Sequence, residues 1–236
     1  MSGEPASAPG RLRLAIFDCD GTLVDSQHAI VSAMASAWRS CGLPEPEPHA
    51  VRRIVGLSVL DAVARLLPEG PPDLHLTLAE RYKTAFRDSR LRGELEEPLF
   101  PGIAAAIEDL DAEGVLLGIA TGKSRRGLLS TLERHGLRSR FVTLQTADDC
   151  AGKPDPDMVL RAMSETGAGA GDTVVIGDTT YDMGMARSAA VGAVGVAWGY
   201  HEPEELAAAG AQAICRTCGE VPGAVRRLLQ PMGTRT

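Results

Sequence analysis

Residues 14–26 read LAIFDCDGTLVDS: an apolar run that ends in Asp18 and Asp20 on either side of Cys19, then a Gly-Thr pair and a third acid, Asp25. A run this short and this continuous, closed by turn residues, reads as a strand buried on both faces. Side chains alternate along an extended strand, so Asp18 and Asp20 project to the same side while Cys19 points away. Two carboxylates sharing one site repel, which requires that one be protonated or that a cation lie between them. For DCDG taken alone the alternative is an ordinary strand-end turn rich in Asp and Gly.

Four more runs of this kind follow, at residues 114–121 (GVLLGIAT), 141–146 (FVTLQT), 173–178 (TVVIGD) and 193–199 (AVGVAWG). Helical patterns separate them. Residues 101–113 open on a proline and repeat apolar side chains at helical spacing, residues 124–135 begin at Ser124 as an N-cap, and residues 155–166 follow an Asp-Pro start. Strand alternating with helix predicts a doubly wound α/β fold with a parallel sheet. One segment breaks the alternation: residues 26–94 hold no strand candidate, only amphipathic helical stretches separated by the turns LPEPEPHA (43–50) and LPEGPPDL (67–74). This predicts an all-helical cap domain at 26–94, inserted into an α/β catalytic core formed by 11–25 and 95–236, with residues 1–10 a disordered tail. An insertion directly after the first strand can fold over the carboxyl ends of the strands, where ligands of open α/β sheets bind.

The 236 residues, 44% hydrophobic and 23% charged, suffice for a substantial core. A formal charge of −7 with no long basic block disfavours nucleic acid and anionic membrane as partners. The N-terminal stretch has no apolar segment of the signal-peptide kind and no run is long enough to span a bilayer, so the expected location is the cytoplasm. Five cysteines at irregular spacing predict reduced thiols rather than a disulfide framework. Cys215 and Cys218 (CRTC) have the spacing of half a zinc site or a redox dithiol, but no second pair or histidine accompanies them. They read as two small residues in a late loop or helix start.

Each later strand tip adds a chemical group. ATGKS (120–124) sets the Thr121 hydroxyl and the backbone N–H groups of Gly122 and Lys123 ahead of a helix, where they can hold a phosphate. CAGKPDP (150–156) constrains Lys153 in a loop before a proline. IGDTTYDMG (176–184) puts Asp178 at the fourth tip and Asp182 four residues on, sharing one face of a helix that starts near Thr179. Singly these are a turn, a solvated lysine and helix capping. Four successive tips that supply acids, a hydroxyl, an amine and further acids are an improbable coincidence.

Together DCDGT, ATG, Lys153 and GDTTYD resemble the four motifs of the haloacid dehalogenase superfamily of phosphohydrolases, and the resemblance covers the whole core. It implies a Rossmannoid sheet under a helical cap and a Mg²⁺-dependent phosphatase. By that resemblance Asp18 is the nucleophile that becomes an aspartyl phosphate, and Asp20 is the general acid and then base whose backbone carbonyl also binds Mg²⁺. Asp18 and Asp178 are the implied carboxylate ligands, with Asp182 bound through water or orienting Lys153. Thr121, Gly122 and Lys153 are implied in binding the nontransferring phosphate oxygens. Magnesium would resolve the repulsion between the paired acids.

Within the superfamily, dehalogenases lack the second aspartate and the metal acids, all present here. Phosphonoacetaldehyde hydrolases use a cap lysine, and Lys83, the one lysine in 26–94, falls in a helical run away from where the cap is expected to touch substrate. VRRIVGLSV (51–59) resembles the specificity loop of phosphoglycolate phosphatases. Arg52 or Arg53 could make a bidentate contact to a carboxylate or distal phosphate, and Gly56 allows close backbone approach; the alternative is two arginines on a solvated helix face. DGTLVDS (20–26), YKTAFR (82–87) and EEPLFPGI (96–103) resemble the same branch. Tyr82 and Phe86 read as cap core, Asp25 and Ser26 as caps of the next helix, and His28 as a solvated or hydrogen-bonded histidine. The implied substrate is a small phosphorylated metabolite, 2-phosphoglycolate foremost, for a monomer or homodimer. A phosphosugar mutase or a pyrophosphatase of the same superfamily, and a phosphate-sensing module without turnover, are the alternatives.

Overall fold

The computed structural model describes residues 11–230, and the tail expected at 1–10 lies outside the described residues. Six parallel strands, β1 (Leu14–Phe17), β2 (Leu116–Thr121), β3 (Thr143–Thr146), β4 (Thr173–Gly177), β5 (Gly192–Val196) and β6 (Ala213–Cys215), form one sheet in the order β3-β2-β1-β4-β5-β6. In chain order the helices are α1 (Gln27–Ser40), α2 (Pro48–Arg53), α3 (Val59–Leu66), α4 (Pro72–Leu91), α5 (Ile103–Ala112), α6 (Arg125–Arg134), α7 (Asp157–Thr166), α8 (Thr180–Ser188), α9 (Pro203–Ala209) and α10 (Val221–Leu229). The parallel α/β core read from the alternation is the observed fold.

The continuity of the apolar runs has a direct cause. In β1, Ala15 and Phe17 join a cluster with Ile103 and Ile107 of α5, Leu128 of α6 and Val225 of α10. Leu14 and Ile16 face the other way, toward Met158 and Val159 of α7 and Met183 and Met185 of α8. With helices on both faces, neither side of the strand can be polar. Phe17 is level with Ile119 of β2 and Ile176 of β4, so β2 runs on to Thr121 and β4 to Gly177 past the tip of β1. The chain leaves β1 toward one sheet edge through β2 and β3, and toward the other through β4, β5 and β6. That reversal opens a crevice at the carboxyl ends of β1, β2 and β4.

Helices α1 to α4 all fall between β1 and β2. They bury Met34, Trp38, Val51, Leu57 and Leu78 in a cluster separate from the two that flank the sheet. The Pro-rich turns serve as helix starts, because Pro48 and Pro72 occupy first-turn positions of α2 and α4, where a missing N–H costs nothing. Tyr181 and Tyr200, from the loops and helix beyond β4 and β5, pack against this helical cluster and bring it over the crevice.

Strand β6 was not anticipated. It is three residues long, too short for a periodicity, and exists by pairing Val194 with Ala213 and Val196 with Cys215 at the sheet edge. Cys215 therefore closes a strand rather than lying in a loop, and Cys218 opens a single 3-10 turn ahead of α10. Both are buried in the apolar cluster, and burial pushes the Cys215 thiol up to about 11. No helix among the described residues is long and apolar enough to cross a membrane.

Candidate active site

The tips of β1 and β4 and the loop after β3 bring three carboxylates and one ammonium together. Asp18 Oδ1 accepts the Cys19 N–H at 2.7 Å and lies 2.9 Å from Lys153 Nζ. Lys153 also donates to Asp182 Oδ1 at 2.6 Å, with its side chain fully buried. Asp182 is fixed by its second oxygen, which accepts the N–H and the hydroxyl of Thr179, at 3.1 and 2.6 Å, in a capping box at the start of α8. The sequence read Asp182 either as a water-mediated metal ligand or as the residue that orients Lys153; its Oδ1 holds Lys153, and one of its oxygens also lies among the converging carboxylates. Asp178 accepts the Thr22 hydroxyl at 2.8 Å and the Tyr200 N–H at 3.0 Å. Gly21, at φ +86°, leaves the space for it, since a Cβ there would sit 2.3 Å from Asp178 Oδ2.

One oxygen each of Asp18, Asp178 and Asp182 lie within 4.8 Å of one another, and all three residues are buried. Oδ2 of Asp18 is buried without a hydrogen-bond partner. One ammonium among three buried carboxylates leaves an excess of negative charge. Burial first, then Asp182, push the Asp18 carboxyl up to about 7 although Lys153 opposes the shift. Burial, Asp18 and Asp182 hold Asp178 well above the usual carboxylate range. Burial works to lower Lys153, but Asp18 and Asp182 more than reverse it, so its amine is raised and stays charged. An orphaned buried oxygen beside surplus carboxylate fits a hard divalent cation.

On the cap side, Asp20 Oδ1 accepts the Ser26 hydroxyl and the Lys123 ammonium, each at 2.6 Å. Thr121 is buried at the tip of β2 and its hydroxyl accepts the Lys123 N–H at 3.2 Å. Gly122 is pressed by the loop between α2 and α3: a Cβ there would meet the Leu57 carbonyl oxygen at 2.3 Å and that of Gly56 at 2.7 Å. Gly56, at φ +98°, packs against Thr179, where a Cβ would lie 3.3 Å from the Thr179 hydroxyl. A cavity of about 560 Å³ opens between the α1–α4 helices and the sheet beside Asp20 and Thr121, with Met34, Ile54, Leu57 and Phe86 among its walls.

Several residues sit elsewhere than the sequence implied. Arg53 donates through both terminal nitrogens to Glu205 of α9, at 2.6 and 2.8 Å, and does not line the large cavity. Arg52 lines a separate cavity of about 290 Å³ with Gln27 and Glu202. Lys83, expected away from substrate, lines the large cavity with its ammonium on Glu80 at 2.8 Å, and Tyr82 and Phe86 line it while packing on the cap cluster. The reason is geometric, since α4 runs along the cavity and i, i+4 positions share its inner face. Ser26 makes no capping bond to α1; its hydroxyl goes to Asp20 instead. Asp25 accepts the Gln27 N–H at 3.3 Å, and His28 is exposed. The Lys123 side chain, Thr22, Tyr200 and Glu97 were not singled out. Thr22 lay within the opening motif and Glu97 within EEPLFPGI, but nothing in either stretch marked the particular side chain.

A family model of haloacid dehalogenase-like hydrolases matches residues 15–196. The chain is 40% identical over 219 residues to the probable phosphatase IndB of Dickeya dadantii, covering 92% of this chain and 95% of that one. It is 31% identical to a phosphoglycolate phosphatase of Agrobacterium fabrum, with 85% and 84% covered. A solved hydrolase from Pseudomonas syringae superposes with a TM-score of 0.81 at 28% identity, over 92% of this chain and 100% of that one. The chain belongs to the haloacid dehalogenase-like hydrolases. Within that family it is a phosphatase, a phosphoric monoester hydrolase.

Proposed function

We propose that the enzyme hydrolyses a small phosphorylated metabolite through an aspartyl phosphate on Asp18, with Mg²⁺ as its cation. The observation that carries this reading is the unpartnered, buried Oδ2 of Asp18 among converging carboxylates. Asp18, Asp178 and the backbone carbonyl of Asp20 are the hard oxygens that would hold the ion. When bound, it offsets the charge of these carboxylates and of the substrate phosphate. Asp18 attacks phosphorus while Asp20 protonates the departing oxygen; Asp20, now a carboxylate, then takes a proton from the water that hydrolyses the intermediate. Thr121 and the N–H groups of Gly122 and Lys123 hold the nontransferring oxygens. Lys153, aimed by Asp182, counters charge that grows in the transition state.

For the substrate, 2-phosphoglycolate is supported by the Agrobacterium fabrum relative and by the specificity-loop resemblance. The cavity favours a second reading, because its volume of about 560 Å³ would leave much space to water around a two-carbon acid, and its mixed apolar and charged lining suits an ester with a larger body. Lys83, Arg87 and Arg126 on its lining could meet a further anionic group, as a sugar bisphosphate in mutase chemistry would require. The experiment is phosphate release from a panel of esters of graded size, with Mg²⁺ and then with EDTA, scored also for sugar-phosphate interconversion. Release that requires Mg²⁺ and is abolished in Asp18→Asn is the expected result. Undiminished turnover by Asp18→Asn would refute the assignment of the nucleophile.

A further inference from the structure

We propose that Lys123 and Glu97 position the general acid, fixing Asp20 so that its Oδ2 is the oxygen that delivers the proton to the leaving group and recovers it from water. The inference deepens the phosphatase reading and rests on it. Oδ1 of Asp20 is already filled by the Ser26 hydroxyl and the Lys123 ammonium. A proton placed on Oδ1 would have to displace one of these two short donors, so the proton resides on the other oxygen. In the first step the proton passes from Oδ2 to the departing alkoxide as its P–O bond breaks and Asp18 bonds to phosphorus. In the second, water gives a proton to the same Oδ2 as its oxygen bonds to phosphorus and the Asp18–phosphorus bond breaks, releasing inorganic phosphate.

Lys123 has little freedom to do otherwise. Its side chain is 7% exposed, its ammonium donates to Glu97 Oε1 at 2.8 Å, and it lies 5.2 Å from the centre of the Phe86 ring. Glu97 is held in turn: the Thr131 hydroxyl donates to Oε2 at 3.3 Å, Arg90 lies 3.8 Å away, and His135 Nε2 donates to the backbone carbonyl at 2.8 Å. A buried ion pair is a poor device for stability alone. This one is assembled from three parts of the chain, with Lys123 and Thr131 in the core, Phe86 and Arg90 on α4 of the cap, and Glu97 in the segment that returns from cap to core. Asp20 is therefore set by contacts that are complete when the cap lies over the crevice.

The test uses two esters that differ in their need for an acid: 4-nitrophenyl phosphate, whose leaving group departs unprotonated, and a simple alkyl phosphate, whose alkoxide does not. Lys123→Met is expected to slow the single-turnover release of the alcohol by about tenfold to a hundredfold from the alkyl ester and by no more than about threefold from the nitrophenyl ester, while the later hydrolysis of the aspartyl phosphate slows alike for both. Asp20→Asn shows the same split more strongly, Glu97→Gln more weakly, and Lys123→Arg restores part of the loss. Because Lys123→Met strands a buried carboxylate, the double variant Lys123→Met/Glu97→Gln carries the test should the single one fail to fold. Wild-type enzyme that hydrolyses neither ester would sink the phosphatase reading itself. Wild-type activity on both, with folded variants whose alcohol release falls equally for the two esters or for neither, would overturn the positioning role.

Discussion

Truncating Arg53 distinguishes an arginine that binds substrate from one that fastens the cap. Its guanidinium holds Glu205 bidentately across the cap–core boundary, with the two side chains 32% and 41% exposed. The Arg53 carbonyl accepts the Tyr181 hydroxyl and His201 Nε2, both at 3.1 Å, and these contacts survive removal of the side chain. An exposed pair of this kind shifts an equilibrium by about twofold to fivefold. A guanidinium seated on a buried substrate anion is worth about tenfold or more. Arg53→Ala is therefore expected to raise KM about twofold to fivefold with kcat held, Glu205→Gln to do the same, and the double variant to add nothing. Steady-state kinetics at low and high salt read the effect, which shrinks as salt screens the pair. The Arg53 hydrogen bond holds the Glu205 carboxyl down at about 2. A lowered carboxylate pKa means that the latch is whole at neutral pH and lost only as pH falls below the ordinary carboxylate range. A KM rise well above tenfold in Arg53→Ala, with Glu205→Gln silent, would place the guanidinium on the substrate and refute this account.

Two further outcomes follow from the same geometry. Without a cation, Asp18 and Asp178 are raised in the folded state, so the unfolded chain sheds these protons first. Stability then falls as pH climbs from about 4 through about 7, by up to about 1.4 kcal/mol per pH unit from Asp18, with Asp178 acting in the same direction. Mg²⁺ should cancel that slope, raising the melting temperature more at slightly alkaline pH than in mild acid, and an equal gain at both would count against these ligands. Gly122→Ala drives a Cβ into the Leu57 and Gly56 carbonyls. It should hold the cap off the core, with a higher KM and faster limited proteolysis near residues 92–99; unchanged values for both would show that the closed arrangement is not the working one.

Most of the chemistry was legible because it is local. The run at 14–17 was enough to place Asp18 and Asp20 just past a buried strand, and the segment after Gly177 was enough for a helix starting near Thr179. Each strand tip carries its own group within a few residues, so the order of the tips in the chain sufficed to single out Asp18, Lys153, Asp178 and Asp182, which the fold brings together. Strand β6 escaped because three residues carry no period and it is made by its partner.

What tertiary structure alone decided is which partner each charged side chain takes. Arg53 meets Glu205 from 152 positions away, Lys123 meets Asp20 from 103, and Ser26 turns from capping its own helix to holding Asp20. Lys83 reaches the cavity because α4 lies along it. A long, flexible cation binds whatever carboxylate packing sets within its reach, and that choice depends on how the helical insertion settles on the sheet. Secondary structure and strand-end chemistry follow from neighbours in the chain; the pairing of ions across the crevice follows from distances that only the folded molecule has.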